Sequence, residues 1–325
     1  MIAIVLIAMA AGCASALMFA SIVSGALISL LLFYLAPLPL MVAALGWGPL
    51  CATIGGISAA IGLGAIFGLP YCIAFVVTVA LPAWWLGHLA LLGRPVSNTV
   101  SSGNGAATPA APVMEWYPVG RILLWITGFA ALTTMAALLT LGSDAAAITD
   151  ALKRGLLRLL GSRVGVSPGD FERIADALVA IAPSAAAMFA MATLTINLWL
   201  AAKITAISAR LHRPWPDLRA VALLPMTLAA LCAAIAFSFA GGLLAILSQI
   251  IAVALMMAYA LTGFAVLHTL TLALKSRALW LGMTYSMVVV FVWPIVALMI
   301  LGLADSIFGF RQRFLQRRPP PLPAS

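Results

Sequence analysis

Long apolar runs punctuated by glycine and proline dominate the chain, and no Lys, Arg, Asp or Glu occurs between Met1 and Gly93. A membrane span needs about 20 apolar residues, so this stretch predicts about four spans. The Gly and Pro positions mark their limits: Ile2–Ile22, Gly25–Leu45, Gly48–Phe67 and Pro70–Leu92. Trp84, Trp85 and His88 close the fourth, which suits a water–lipid boundary. Residues 94–118 carry a Ser/Gly/Ala/Thr/Pro-rich segment with no periodicity and read as a flexible linker.

A fifth span fits Val119–Leu141. Residues 143–182 then turn amphipathic. Ile148, Leu152, Leu156 and Leu159 recur at helical spacing with Lys153, Arg154 and Arg158 off the stripe. Ser167-Pro168-Gly169-Asp170 starts a second helix with its own stripe at Ile174, Leu178 and Ile181. Two placements stand for this pair: flat in the membrane interface, or as a hairpin covering the bundle. Further spans fit Ser184–Ile204, Val221–Ala240, Leu243–Leu274 (long enough to tilt, or to kink near Gly263) and Leu279–Leu303. The expected fold is an all-α, polytopic transmembrane bundle of 8–9 spans with short interfacial helices. Its parts are a four-span bundle over 1–93, the linker 94–118, a second bundle over 119–310, and a basic, proline-rich tail over 311–325.

Composition strengthens this picture. Of the 325 residues, 65% are hydrophobic and 8% charged, far from the balance of a soluble domain. The net charge of +9 sits in short loops and the tail, where lipid headgroups account for it better than nucleic acid does. Orientation does not follow: with nine spans, eight basic residues fall on one side and nine on the other. Cys13, Cys51, Cys72 and Cys232 lie in apolar runs without metal-ligand spacing, so no metal site is expected. Met9-Ala10-Ala11-Gly12-Cys13 has no Lys or Arg before it, so an uncleaved first span is expected rather than a signal peptide.

Candidate chemistry is sparse. HExxH, GxSxG and GxxxxGK[ST] do not occur, so no enzyme, no cofactor and no ATPase motor is expected in this chain. Ala8, Gly12, Ala16 and Ala20 share one face of the first span, either for docking a membrane coupling subunit or for internal packing. Gly56, Ala60, Gly64 and Gly68 repeat the pattern in the third. Pro37, Pro39, Gly48 and Pro49 break or open helices, as at transporter cavities or at plain kinks. Asn197, Gln249 and His268 are polar groups within spans, and each is a candidate for contacting a small-molecule solute or for joining helices by hydrogen bonds.

Five stretches carry a resemblance. They are Phe33-Tyr34-Leu35-Ala36-Pro37-Leu38-Pro39-Leu40 with Leu45-Gly46-Trp47-Gly48; Ile196-Asn197-Leu198-Trp199-Leu200-Ala201; Pro214-Trp215-Pro216-Asp217-Leu218 with Leu224-Pro225; Thr262-Gly263-Phe264-Ala265-Val266-Leu267-His268; and Leu301-Gly302-Leu303-Ala304-Asp305 with Phe308-Gly309-Phe310-Arg311. In this order the chain resembles the YybS-like predicted multi-pass membrane proteins. The N-terminal part of that family is similar to the substrate-capture (S) components of energy-coupling-factor vitamin transporters. The resemblance implies a bacterial inner-membrane location and a coupling partner docked on the face at Ala8, Gly12, Ala16 and Ala20. It implies a transport-related subunit; the competing expectation is a scaffold that binds other proteins through its basic loops and tail. The polar substrate loops of true S components are not evident.

Overall fold

In a computed structural model, residues 2–96, 99–101, 107–109, 113–160 and 168–316 are described. Among them, seven helical segments are long and apolar enough to cross a membrane. Large apolar side chains stand on the outside, with Leu27 90% and Val289 80% exposed, a surface that suits lipid and not water. The protein is a multi-span, largely helical membrane protein.

The first span is α1 (Ile2–Ala20), continued by a 3₁₀ turn over Ser21–Ser24. The second is α2 (Leu27–Leu35) and α3 (Pro37–Trp47), joined through Ala36 in helical conformation. Pro37 and Pro39 lack N–H donors, so the helical ladder fails here and Ala36 N–H closes a tighter turn onto the Phe33 carbonyl at 3.2 Å. α4 (Pro49–Phe67) is the third span. Gly48 at φ +96° and Gly68 at φ +90° turn the chain into the next helices, a backbone region that favours glycine. The fourth span is α5 (Leu69–Phe75), a π-helical turn at Val76–Ala80, and α6 (Leu81–Leu91).

Within the stretch expected to be an unpatterned linker, two antiparallel ladders form. β1 (Gly93–Val96) pairs with β4 (Val113–Trp116), and β2 (Thr99–Ser101) with β3 (Ala107–Pro109). Arg94 stands opposite Glu115 and binds it at 2.7 Å.

α7 (Val119–Leu139) follows, then α8 (Ala145–Leu160), capped where Asp144 Oδ1 accepts from Ala147 N–H at 2.8 Å. α9 (Pro168–Ile207) has 40 residues, about 60 Å at 1.5 Å per residue. The second amphipathic helix and the sixth span, expected as separate elements, are therefore one helix that runs through Pro183 without ending. Ser167, its expected cap, lies outside the described residues, as does the polyproline part of the tail.

The seventh and ninth expected spans take shorter form. α10 (Met226–Phe237) has 12 residues, beginning after Pro225. The last hydrophobic run divides into α12 (Arg277–Phe291) and α13 (Pro294–Phe308), with Val292 between them at φ +58°. α11 (Gly242–Leu270) is unbroken through Gly263. A short α14 (Phe310–Gln316) ends the described chain.

By compactness the chain forms two units. Unit 1 is Met1–Ile126 with Thr193–Pro216; unit 2 is Thr127–Ala192 with Asp217–Ser325. In unit 1, α1 packs on α4, and Phe19 gathers Phe33, Tyr71 and Phe75 with ring centroids 5.1–5.4 Å apart. In unit 2, α11 packs on α13, and the Thr227 and Tyr259 hydroxyls, 2.9 Å apart, tie α10 to α11. Ile148 of α8 is fully buried with Ala131, Leu138, Ala187, Ile250 and Ala254, and Leu152 packs on them. This apolar stripe faces the protein's own bundle, so α8 covers unit 2 and does not present Ile148 and Leu152 to lipid.

Candidate functional site

Ala8 and Gly12 are buried in the α1–α4 contact. A Cβ at Gly12 would collide with the Gly55 carbonyl oxygen, and one at Gly55 would meet the Ala8 carbonyl oxygen. Both helices thus need a hydrogen atom at the crossing, the condition for backbones to approach this closely. Ala16 and Ala20, further along the face, are half-buried. The glycine row of the third span faces elsewhere: Gly56 lies against Ala80 and Gly64 against Cys72. The residue that meets α1 is Gly55, one position out of that row.

Pro37 is buried and Pro39 half-buried at the α2–α3 junction, and Gly48 and Pro49 form the α3–α4 turn. Asn197 of α9 is 1% exposed and reaches this junction. Its Nδ2 donates to the Tyr34 carbonyl at 2.8 Å and to the Thr193 carbonyl of its own helix at 2.8 Å. The side chain thus satisfies a carbonyl beside the proline break, which explains why an amide is tolerated at this depth. Its Oδ1 is buried with no hydrogen-bond partner. A buried acceptor left unpaired costs about 1–3 kcal/mol.

Gln249 and His268 belong to unit 2, and Pro37, Pro39, Gly48, Pro49 and Asn197 to unit 1. Gln249 is half-buried on α11. His268 has Nδ1 2.9 Å from the Phe264 carbonyl and Nε2 3.4 Å from the Tyr285 hydroxyl. A carbonyl only accepts, so Nδ1 carries the proton and Nε2 accepts from Tyr285. These contacts fix His268 between α11 and α12. Among the described residues no three His, Cys, Asp or Glu side chains converge as a metal site.

Two further polar arrangements stand out. Asp305 and Arg311, side chains 5% and 14% exposed, pair at 2.7 Å, and the Arg311 backbone N–H binds the other carboxylate oxygen at 2.9 Å. Arg311 Nη1 also donates to the carbonyls of Arg219 and Val221, both at 2.7 Å. The carbonyl acceptors have no sequence signature.

The second arrangement is at one end of unit 1. Arg210 lies 5.3 Å from the Trp47 ring centroid, Lys203 Nζ 4.2 Å from that of Trp215, and Arg213 6.0 Å from that of Trp116. Arg213 also donates to the Ala90 carbonyl at 3.2 Å, near the C-terminus of α6. Burial lowers its pKa below that of a solvated guanidinium. The basic character of residues 203–219 is plain in the sequence, but the aromatic partners come from three separate segments and are not.

Comparison with known proteins adds no name to this geometry: no family model, no curated protein and no solved structure matches the chain.

Proposed function

We propose that the protein is a solute-binding subunit of a membrane transport system whose energy comes from a separate ATPase, in the manner of a substrate-capture component. The observation that carries this reading is the pairing of a proline-broken span with Asn197. A buried amide binds the Tyr34 carbonyl beside the break and leaves its own Oδ1 open to a donor. The solute class that fits is a small molecule presenting an N–H or O–H group at this depth. Ala8 and Gly12 already serve the α4 contact, so the part of the docking face left for a coupling subunit is at Ala16 and Ala20. The bacterial inner membrane and eight or nine crossings belong to the same proposal. The additional crossings come from α10 and from α12 with α13.

The test is purification of the full chain in mild detergent, with co-purifying metabolites and proteins identified. The expected result is one enriched small molecule, depleted in Asn197→Leu, together with an ATPase-coupling complex lost in Ala16→Leu/Ala20→Leu. A folded chain with neither companion ends the reading. A second reading, a scaffold for other membrane machinery, draws on Arg154 and Arg158, which stand exposed on α8. A stable protein partner without ATPase components, released by neutralising those two arginines, would favour it.

A further inference from the structure

All the formal charge of unit 1 lies at one of its ends. Its residues include Arg94, Arg121, Lys203, Arg210 and Arg213 against Glu115 alone, and none of these six lies before residue 94. Glu115 is taken by Arg94. Lys203, Arg210 and Arg213, at the same end, have no ion pair among the described residues. Each of these cations is most stable with an anion beside it, and unit 1 has no carboxylate left to supply one.

Their surroundings say where that anion sits. Each cation lies beside a tryptophan: Lys203 by Trp215, Arg210 by Trp47 and Arg213 by Trp116. Tryptophan with basic side chains at the end of apolar helices marks the depth of lipid headgroups. Apolar neighbours at the same end are open, Leu50 at 77% and Ile207 at 85%, and only acyl chains shelter them from water.

The backbone holds the arrangement in place. Ala209, at φ +53°, adopts the left-handed conformation just after α9, and Arg210 N–H then binds the Thr205 carbonyl at 2.8 Å. This reversal carries Arg210 back beside Gly46, where a Cβ would lie 3.6 Å from that of Arg210. A chain leaving the helix freely would not bring a guanidinium to the end of α3.

From this we infer that Lys203, Arg210 and Arg213 form a binding site for the phosphate of an anionic phospholipid. Arg210 and Lys203 supply charge at the surface. Arg213, held by the Ala90 carbonyl, adds a third cation at this end. The site is independent of any solute at Asn197.

The test uses the full chain in mixed phosphatidylcholine/phosphatidylglycerol micelles, with bound lipid counted by native mass spectrometry. Phosphatidylglycerol should be retained over phosphatidylcholine. Lys203→Gln/Arg210→Gln should lower that preference about fivefold per charge removed, and raising salt should lower it for the native chain. Arg154→Gln/Arg158→Gln should leave it unchanged. Should the neutral variants not fold, Lys203→Arg/Arg210→Lys, which keeps the charge, must retain the preference. No preference, a preference insensitive to salt, or an equal loss in the α8 control overturns the site. Soluble glycerol phosphate displacing the lipid at millimolar concentration would assign the same cations to a free phosphate and overturn the lipid.

Discussion

Two helix pairs solve the same packing problem by different routes. The α1–α4 pair of unit 1 and the α11–α13 pair of unit 2 each bring a backbone carbonyl against a glycine of the facing helix. In unit 1 the device is distributed: Gly12 meets the Gly55 carbonyl and Gly55 meets that of Ala8, with small residues continuing along α1. In unit 2 it is concentrated in one reciprocal crossing, where Gly263 meets the Leu298 carbonyl and Gly302 that of Tyr259. Larger groups flank it, with the Thr262 hydroxyl bound to the Tyr259 carbonyl at 2.7 Å. Lipid tails are as apolar as leucine, so helices in a bilayer associate through close van der Waals contact and polar links. In unit 1 the α1–α4 pair adds a weak link of the second kind, Cys51 Sγ donating to the Ile4 carbonyl at 3.7 Å. In unit 2 the Thr262 hydroxyl at the crossing bonds within α11, and near the end of α13 Asp305 pairs with Arg311 of α14.

Removing that ion pair is the most severe way to break the comparison. Arg311→Met leaves a buried Asp305 carboxylate uncompensated and two carbonyls without their donor, a loss of about 3–5 kcal/mol. Thermal unfolding in detergent should show it as a large fall in Tm. The double change Asp305→Leu/Arg311→Met should recover most of the loss, because no lone charge remains. Equal losses in single and double variants would show that the carbonyl contacts dominate.

The glycine crossings come next. In an ordinary helix interior Gly→Ala adds about 0.5–1 kcal/mol of stability. Gly302→Ala and Gly12→Ala should do the opposite, each losing about 1–3 kcal/mol by overpacking. Gly302→Ala should lose more, since its Cβ would meet the Thr262 hydroxyl as well as a carbonyl. Gly282→Ala, with open space around it on α12, is the control and should be neutral or stabilising. If Gly12→Ala is also neutral, the unit 1 crossing tolerates separation and the contrast narrows.

This contrast also marks what could be read from the chain beforehand. Helices, most of their limits and the membrane setting follow from unbroken apolar runs, which water cannot solvate whatever the tertiary arrangement. The regular spacing of Ala8 and Gly12 was visible because a helix repeats its faces every three to four residues. Gly263 was not, because its partner Gly302 lies on another helix and a single glycine has no period. Gly55 was passed over for its neighbour Gly56 because both sit in a glycine-rich helix, and only the facing backbone decides which is used. The continuity of α9 through Pro183 was hidden for a similar reason: proline weakens a helix locally, and tertiary packing decides whether it ends. Of the candidate site, Pro37, Pro39 and Asn197 were each named, but their meeting at Tyr34 joins residues 163 positions apart and leaves no trace in local pattern.

Backbone strain offers a gentler comparison of the units. Ala209 ends a helix in unit 1 at φ +53°, and Val292 separates two helices in unit 2 at φ +58°. A side chain there costs about 1–2 kcal/mol, and the β-branched valine is the more crowded. Ala209→Gly should stabilise by about 0.5–1 kcal/mol and Val292→Gly by somewhat more, less the added freedom of the unfolded chain. Thermal unfolding reads both, and a destabilised Val292→Gly would mean that the valine side chain contributes packing that outweighs the strain.

The smallest effect concerns α8, whose buried stripe packs within unit 2 while a charged contact links it to α9. Lys153 Nζ lies 2.6 Å from Asp176 Oδ1, in a pair with the carboxylate largely open to solvent. The hydrogen bond to Asp176 is the main cause that raises the Lys153 pKa above the ordinary 10.5. A raised ammonium pKa stabilises the folded chain fully below the unfolded value and loses that contribution as pH climbs through the folded one. The Tm difference between the native chain and Lys153→Met should therefore be small and constant from neutral pH to about 9.5, then shrink above 10.5. High salt should shrink it at neutral pH as well, since an exposed pair is screened. A gap unchanged at alkaline pH would mean that the lysine stem packing along α8 holds this contact and the charge does not.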